Sequence, residues 1–311
     1  MRPNSVLCRW GVLGLICAPM LVTRIEAQNR GVYPLGMNAV NSGLMPAPGF
    51  TYTNQLLTYA RDEAKADDGS TLPVSGSNTV VMDLNPIAWA STATVLGGSQ
   101  YSASATFPIA KNDLTSDLNG NLSGGAGFAD SYYLPLILGW NEGRAAVRVL
   151  WGFLAPTGRF AQGANNNVGS GYWTFTGSSG QTFYLTKSKS LNLSAYEMYE
   201  FHTMQEGTGT HPGDTFDLDY SLMRAFALGR GSPRVQIGLA GYEARQTTAK
   251  TGPEIAPNQS STRYAINAIG FAATLAFPDR KLSFAMKYFD EFADRSTFQG
   301  FSLQFSGSMG F

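Results

Sequence analysis

Charge is scarce in this sequence. Lysine and arginine number 22 among 311 residues, aspartate and glutamate also 22, so charged residues are 14% of the chain and the formal net charge is zero. An ordinary globular domain carries about 25%. The balance leaves no basic footprint of the kind that holds nucleic acid, and no nucleic-acid partner is expected. Aromatic residues reach 12%, which excludes charge-driven disorder. No apolar run has the ~18 residues that a membrane-spanning helix needs. Cysteine occurs only at Cys8 and Cys17, and histidine only at His202 and His211.

Both cysteines fall in an opening stretch that reads as a secretory signal over residues 1–27. Arg2 and Arg9 give it a positive start. Gly11 to Val22 is too short to cross a bilayer, and Ile25-Glu26-Ala27 is an acceptable cleavage site. Loss of this stretch removes Arg2, Arg9, Arg24 and Glu26, leaving 19 basic and 21 acidic residues. The exported chain then has no cysteine and cannot rely on disulfides.

Catalytic chemistry is equally thin. The chain has no Gly-x-Ser-x-Gly elbow, no His-Glu-x-x-His and no phosphate-binding Gly-x-x-x-x-Gly-Lys. His211 lies near Asp214 and His202 follows Glu200, yet neither pair has a nucleophile at a recognised spacing. No catalytic residue, metal site or cofactor is expected. Asp62, Glu63, Asp67 and Asp68 cluster without the order of a calcium-binding loop, and they read as a solvated surface or a lipopolysaccharide-bridging contact.

The strong signal is a period of two. Phe301, Leu303, Phe305, Gly307, Met309 and Phe311 alternate with small polar residues, and a strand sends successive side chains to opposite faces. Residues 145–153, 216–222 and 282–288 repeat the pattern. About twelve such segments of roughly 10 to 14 residues are expected, whereas soluble strands usually have about 5 or 6 and a tilted transmembrane strand about 9 to 11. Long connections near 61–77, 109–127, 155–171, 204–214 and 248–262 alternate with short ones near 90–97, 141–143, 186–190, 228–233 and 278–281. That sorting belongs to outer-membrane barrels, with their long external loops and short periplasmic turns. The expected fold is therefore all-β: a transmembrane antiparallel β-barrel over residues 50–311, in the outer membrane of a Gram-negative bacterium, contacting lipid and lipopolysaccharide. Near 195–203 and 241–246 the alternation breaks, and bulges are expected there.

Residues 28–49 do not read as a strand, because Pro34, Pro46 and Pro48 cannot donate to a ladder. Two placements stay open: a plug-like segment in the barrel mouth or lumen, carried by residues such as Tyr33, Pro34, Asn38, Pro46 and Pro48, or a periplasmic extension. Arg144, Arg148, Asp217, Asp219 and Lys287 alternate with the apolar face and are expected in the lumen, since Arg or Lys facing mid-bilayer lipid costs about 2–4 kcal/mol. They would form a selectivity constriction or a network that fills a narrow barrel. Phe305, Met309 and Phe311 resemble the terminal signal that such barrels present to their assembly machinery.

Several blocks together resemble one family: Tyr33-Pro34-Leu35-Gly36-Met37-Asn38, Pro46-Ala47-Pro48-Gly49-Phe50, Leu138-Gly139-Trp140, Ala155-Pro156-Thr157-Gly158-Arg159-Phe160, Gly171-Tyr172-Trp173, Gly213-Asp214-Thr215-Phe216 and Gly238-Leu239-Ala240-Gly241-Tyr242. Their order and spacing are similar to those of the outer-membrane proteins labelled as meta-pathway phenol-degradation proteins. The resemblance implies a channel that admits small hydrophobic or aromatic molecules by passive diffusion. A structural or adhesive barrel with ligand-binding loops is the alternative, and an outer-membrane hydrolase a weaker one.

Overall fold

The computed structural model describes residues 31–116, 120–164, 166–228 and 233–311. The expected signal over residues 1–27 lies outside the described residues. Among the described residues thirteen strands follow one another: β1 (Gly49–Ala64), β2 (Gly76–Thr94), β3 (Gln100–Ser116), β4 (Gly120–Phe128), β5 (Ser131–Glu142), β6 (Ala145–Ala155), β7 (Thr174–Tyr184), β8 (Leu191–His202), β9 (Thr215–Ala227), β10 (Arg234–Gln246), β11 (Ala265–Phe277), β12 (Leu282–Glu291) and β13 (Phe298–Gly310). Every pairing between them is antiparallel, and β13 returns to β1. The sheet is closed, as it must be where lipid offers no hydrogen bonds to an open edge.

The barrel is twelve strands around, because β4 and β5 share one place in the wall. Residues 109–116 of β3 pair with β4, and residues 100–106 pair with β5. The switch falls at Pro108, which has no N–H for the ladder; its carbonyl accepts from the Ala129 amide at 3.0 Å. Asp130, in the break, accepts from the amides of Gly158 (2.9 Å) and Ser170 (2.7 Å) and so holds the following external loop. This corrects the expected loop at 109–127, most of which is the paired, outward extension of β3 and β4.

The two faces separate as their side chains require. Phe301, Phe305 and Met309 of β13, Phe284 of β12 and Val149 and Trp151 of β6 are exposed on the outer wall. Ser302, Gln304, Lys287, Asp217, Asp219 and Ser221 are buried inside. The bulges expected near 195–203 and 241–246 are absent: β8 pairs without a break with β7, and β10 with β11. The alternation is hidden there because the interior positions carry Tyr196, Met198 and Tyr242. Bulges occur instead between Arg61 and Glu63, and between Tyr133 and Leu136.

Candidate functional site

Residues 31–45 lie inside the barrel, and 46–48 leave it at the periplasmic mouth. They form turns rather than a strand, with the Met37 amide closing onto the Pro34 carbonyl at 3.1 Å. The segment begins beside the external ends of β8 and β9. There the Val32 and Tyr33 amides donate to the two oxygens of Glu200, at 2.9 and 2.6 Å. It crosses the middle of the lumen at Asp219 and leaves at the periplasmic end, where Gly43 and Met45 lie against Ala146, Thr182 and Gly139. β1 starts directly after it.

Asp219 on β9 and Lys287 on β12 both grip its central turn. One carboxylate oxygen of Asp219 accepts from the Tyr33 hydroxyl (2.5 Å) and the Asn38 amide (3.0 Å); the other accepts from the Gly36 amide (2.8 Å). Lys287 Nζ donates to the carbonyls of Gly36 (2.6 Å) and Met37 (2.7 Å). Hydrogen bonds to charged groups contribute about 1.5–3 kcal/mol each, so this turn is the strongest anchor. Gly36 has φ +82°, and a Cβ there would stand 2.6 Å from the Phe289 ring. Both the turn and the close approach therefore need glycine.

Further bonds hold the rest of the segment to the wall. Tyr59 Oη (2.8 Å) and Gln304 Nε2 (2.8 Å) donate to the Leu35 carbonyl. Ser221 Oγ donates to the Ala39 carbonyl at 2.6 Å, and Arg148 Nη2 to Asn38 Oδ1 at 3.2 Å. The Gly43 amide donates to Thr182 Oγ1 at 3.0 Å. The apolar side chains of the segment complete the fit. Tyr33, Leu35 and Ala39 join Ile137, Leu150, Tyr196, Met198 and Phe289 in one buried cluster, with Met37, Val40 and Met45 packed against it. Beside Lys287, Gln55, Leu57 and Gln304 a space of about 10 Å³ is left, the least that a water molecule occupies.

The structure separates the lumen candidates. Asp217, Asp219 and Lys287 are buried inside, and Arg148 reaches the segment while lying over the Tyr196 ring at 5.9 Å. Arg144 is a correction: it is exposed in the turn between β5 and β6. Its parity matches Arg148, but β6 begins one residue later, so its side chain lies beyond the rim. Of the plug candidates, Tyr33 and Asn38 touch the wall, Pro34 opens the turn, Pro46 lies at the periplasmic mouth and Pro48 is exposed there. Phe305, Met309 and Phe311 face outward, and the Phe311 amide donates to the Phe50 carbonyl at 2.8 Å.

Several working residues escaped the sequence reading. Glu200 is fully buried, accepts two amides of the segment and meets His202 Nε2 at 3.3 Å. His202 Nδ1 pairs with Thr174 Oγ1 at 2.8 Å. Arg61 and Glu291 form a buried pair at 3.0 Å, with the Tyr242 hydroxyl donating to the same carboxylate at 3.0 Å. The alternate-residue parity of β8 and β12 carried Glu200 and Glu291 inward, but neither sits in a motif. His211 Nε2 lies 3.7 Å from Asp214 Oδ1 in an external loop. Among the described residues no three His, Cys, Asp or Glu side chains are grouped as a metal site would require.

A closed antiparallel barrel with an apolar outer wall and a polar, occupied interior defines an outer-membrane β-barrel protein. The chain belongs to the family described as "Putative MetA-pathway of phenol degradation", whose model matches residues 61–306. Among solved structures it is similar to an outer membrane channel from Pseudomonas putida F1, with 13% identity, coverage of 88% of this chain and 98% of that one, and a TM-score of 0.66. The β domain of the Bordetella autotransporter BrkA is also similar, with 12% identity, coverage of 85% and 100%, and a TM-score of 0.52. These likenesses concern the fold. No curated protein matches the chain.

Proposed function

We propose that the protein is a gated outer-membrane channel through which small hydrophobic or aromatic compounds diffuse passively, with residues 31–48 as the gate. One observation carries this reading. The lumen is filled by a segment bound through separable hydrogen bonds, and not only by side chains of the wall itself. A barrel of about eight strands is filled by its own side chains; here a detachable segment fills a wider one and gives the same wall a closed state and an open one. The apolar side of the segment, Leu35, Met37, Val40 and Met45, belongs to the same apolar cluster as Ile137, Leu150, Tyr132 and Leu134 of the wall. Withdrawal of the segment uncovers an apolar strip beside the polar one, a surface suited to a phenolic ring with a hydroxyl. The family description, which names phenol degradation, agrees with that class of compound.

The reading contains no catalytic step and no cofactor. His202 and Glu200 serve the segment and the wall, and no serine or cysteine nucleophile contacts either histidine among the described hydrogen bonds. The outward Phe305, Met309 and Phe311 are the terminal pattern for the assembly machinery, and the acidic Asp67 and Asp68 lie on the external side toward lipopolysaccharide.

The test is uptake of a labelled phenolic compound at limiting concentration, by cells with the gene and cells lacking it. Faster uptake with the gene is expected. Equal rates would remove the transport reading and leave the structural one.

A further inference from the structure

The outer wall carries a polar patch where lipid should lie. On β1 and β2 the outward side chains include Tyr52, Asn54, Asp83 and Asn85, and they bond to one another. Asn54 Nδ2 donates to Asp83 Oδ1 at 2.5 Å and to Asn85 Oδ1 at 3.3 Å, and the Tyr52 hydroxyl donates to Asn85 Oδ1 at 2.6 Å. Apolar outward residues surround the patch: Leu56 on β1, Ile87 on β2, and Phe107 and Ile109 on β3. It therefore sits within the lipid-facing belt and not at its rim. Polar and ionisable side chains in that position are expensive and mark contacts with something other than acyl chains. Asn54 is exposed, so the patch is not covered by its own wall.

Next to it, on the side of β13, the wall is concave. A hollow of about 800 Å³ runs from Asn54 across to β10, framed by Ile237, Leu275, Phe284, Met286 and Phe305. Gly307, the partner of Asn54 in the ladder, and Ala273 leave its floor low.

We propose that this face is the contact between two copies of the chain, related by a two-fold axis along the membrane normal that passes close to Asn54. Depth is the first reason. A partner within the bilayer must present its polar groups at the same level, and a second copy inserted with the same orientation does so by symmetry. Complementarity is the second. The patch holds both amide donors and carboxylate and carbonyl acceptors, so the Asn54–Asp83 bond that each copy makes within its own wall is exchanged for two such bonds across the axis, as an isologous contact requires. Polar side chains hold transmembrane elements together in this way. Shape is the third. The axis sets the β13 edge of the hollow, where Gly307 keeps the floor low, against the Ile87 and Trp89 ridge of its partner, both of which are exposed on β2.

A second outward cluster, Ser179, Gln181 and Glu197 on β7 and β8, does not offer the same surface. Its two donors close onto one oxygen of Glu197, at 2.9 Å each, and none of its three residues is exposed, whereas Tyr52 and Asn54 of the first patch are.

The test uses cysteine cross-linking of the mature chain, whose natural cysteines lie only at Cys8 and Cys17 in the opening stretch. Leu56→Cys flanks the patch; Leu222→Cys on the β9 wall is the control. In outer membranes, Leu56→Cys is expected to give a cross-linked species of twice the chain mass, and Leu222→Cys none. Adding Asn54→Leu, Asp83→Leu and Asn85→Leu to Leu56→Cys should lower that species about tenfold, the effect of losing about 1.4 kcal/mol of association. Heat-modifiable migration on gels reports that the barrel is still folded; if the triple change prevents folding, Asn54→Leu alone is read, with a fall expected. Monomer from Leu56→Cys, a species of another mass, equal cross-linking from Leu222→Cys, or a folded patch variant with undiminished dimer would each overturn the proposal.

Discussion

Deleting residues 31–47 is expected to turn a closed barrel into an open pore. In planar bilayers the single-channel conductance should rise about tenfold or more, because a twelve-stranded barrel without its internal segment encloses a water-filled interior. The wall should survive the deletion. Its closure rests on the ladders from β1 round to β13, and the segment adds no strand to them. The freed wall groups, Glu200, Asp219, Lys287 and Arg148, lose their segment partners and become hydrated. Heat stability should therefore fall while the folded barrel persists. A deletion variant with unchanged conductance would show that the segment does not close the lumen.

Asp219→Ala is expected to open the gate without removing it. The carboxylate accepts from Tyr33 and from the Gly36 and Asn38 amides, while Lys287 grips the same turn. Removing it leaves the buried Tyr33 hydroxyl and Gly36 amide without their acceptor and takes the negative charge from a turn that Lys287 also holds. Breaking a buried charged network costs about 3–5 kcal/mol, and about 3 kcal/mol shifts an open–closed ratio about a hundredfold. The measurement is open probability in single-channel recordings. Lys287→Met should act in the same direction with smaller effect, because the Gly36 and Met37 carbonyls it releases are neutral. An Asp219→Ala channel as quiet as the parent would mean that the turn is held by its apolar contacts alone.

The wall was legible in the sequence because lipid enforces one rule on every strand: apolar outward, anything inward. Phe305 and Phe284 announce their face, and Asp217 and Asp219 announce theirs. Where the interior took large apolar groups the rule lost contrast. Tyr196, Met198 and Tyr242 point inward, so β8 and β10 looked irregular although their ladders are regular. The same reasoning explains Arg144, whose parity is correct but whose position falls past the strand end. The placement of residues 31–48 could not be read from periodicity, since a segment of turns has none. Its partners, Glu200 from β8 and Lys287 from β12, lie far apart along the chain and meet only after the barrel closes. The polar patch at Asn54, Asp83 and Asn85 was equally hidden, because its residues sit on the outward parity that the period-two reading assigns to lipid.

The segment must move for a compound to pass, and a reversible tether tests that directly. A Cβ at Gly31 would stand 3.2 Å from Thr215 Cγ2, the place a cysteine sulfur takes, which is within reach of disulfide geometry; the Glu200 carboxylate, 2.4 Å from that Cβ, has to shift. In vesicles containing Gly31→Cys, Thr215→Cys protein, uptake of a labelled phenolic compound should fall to the protein-free rate under oxidising conditions and return on reduction. Uptake that is the same in both states would contradict the account.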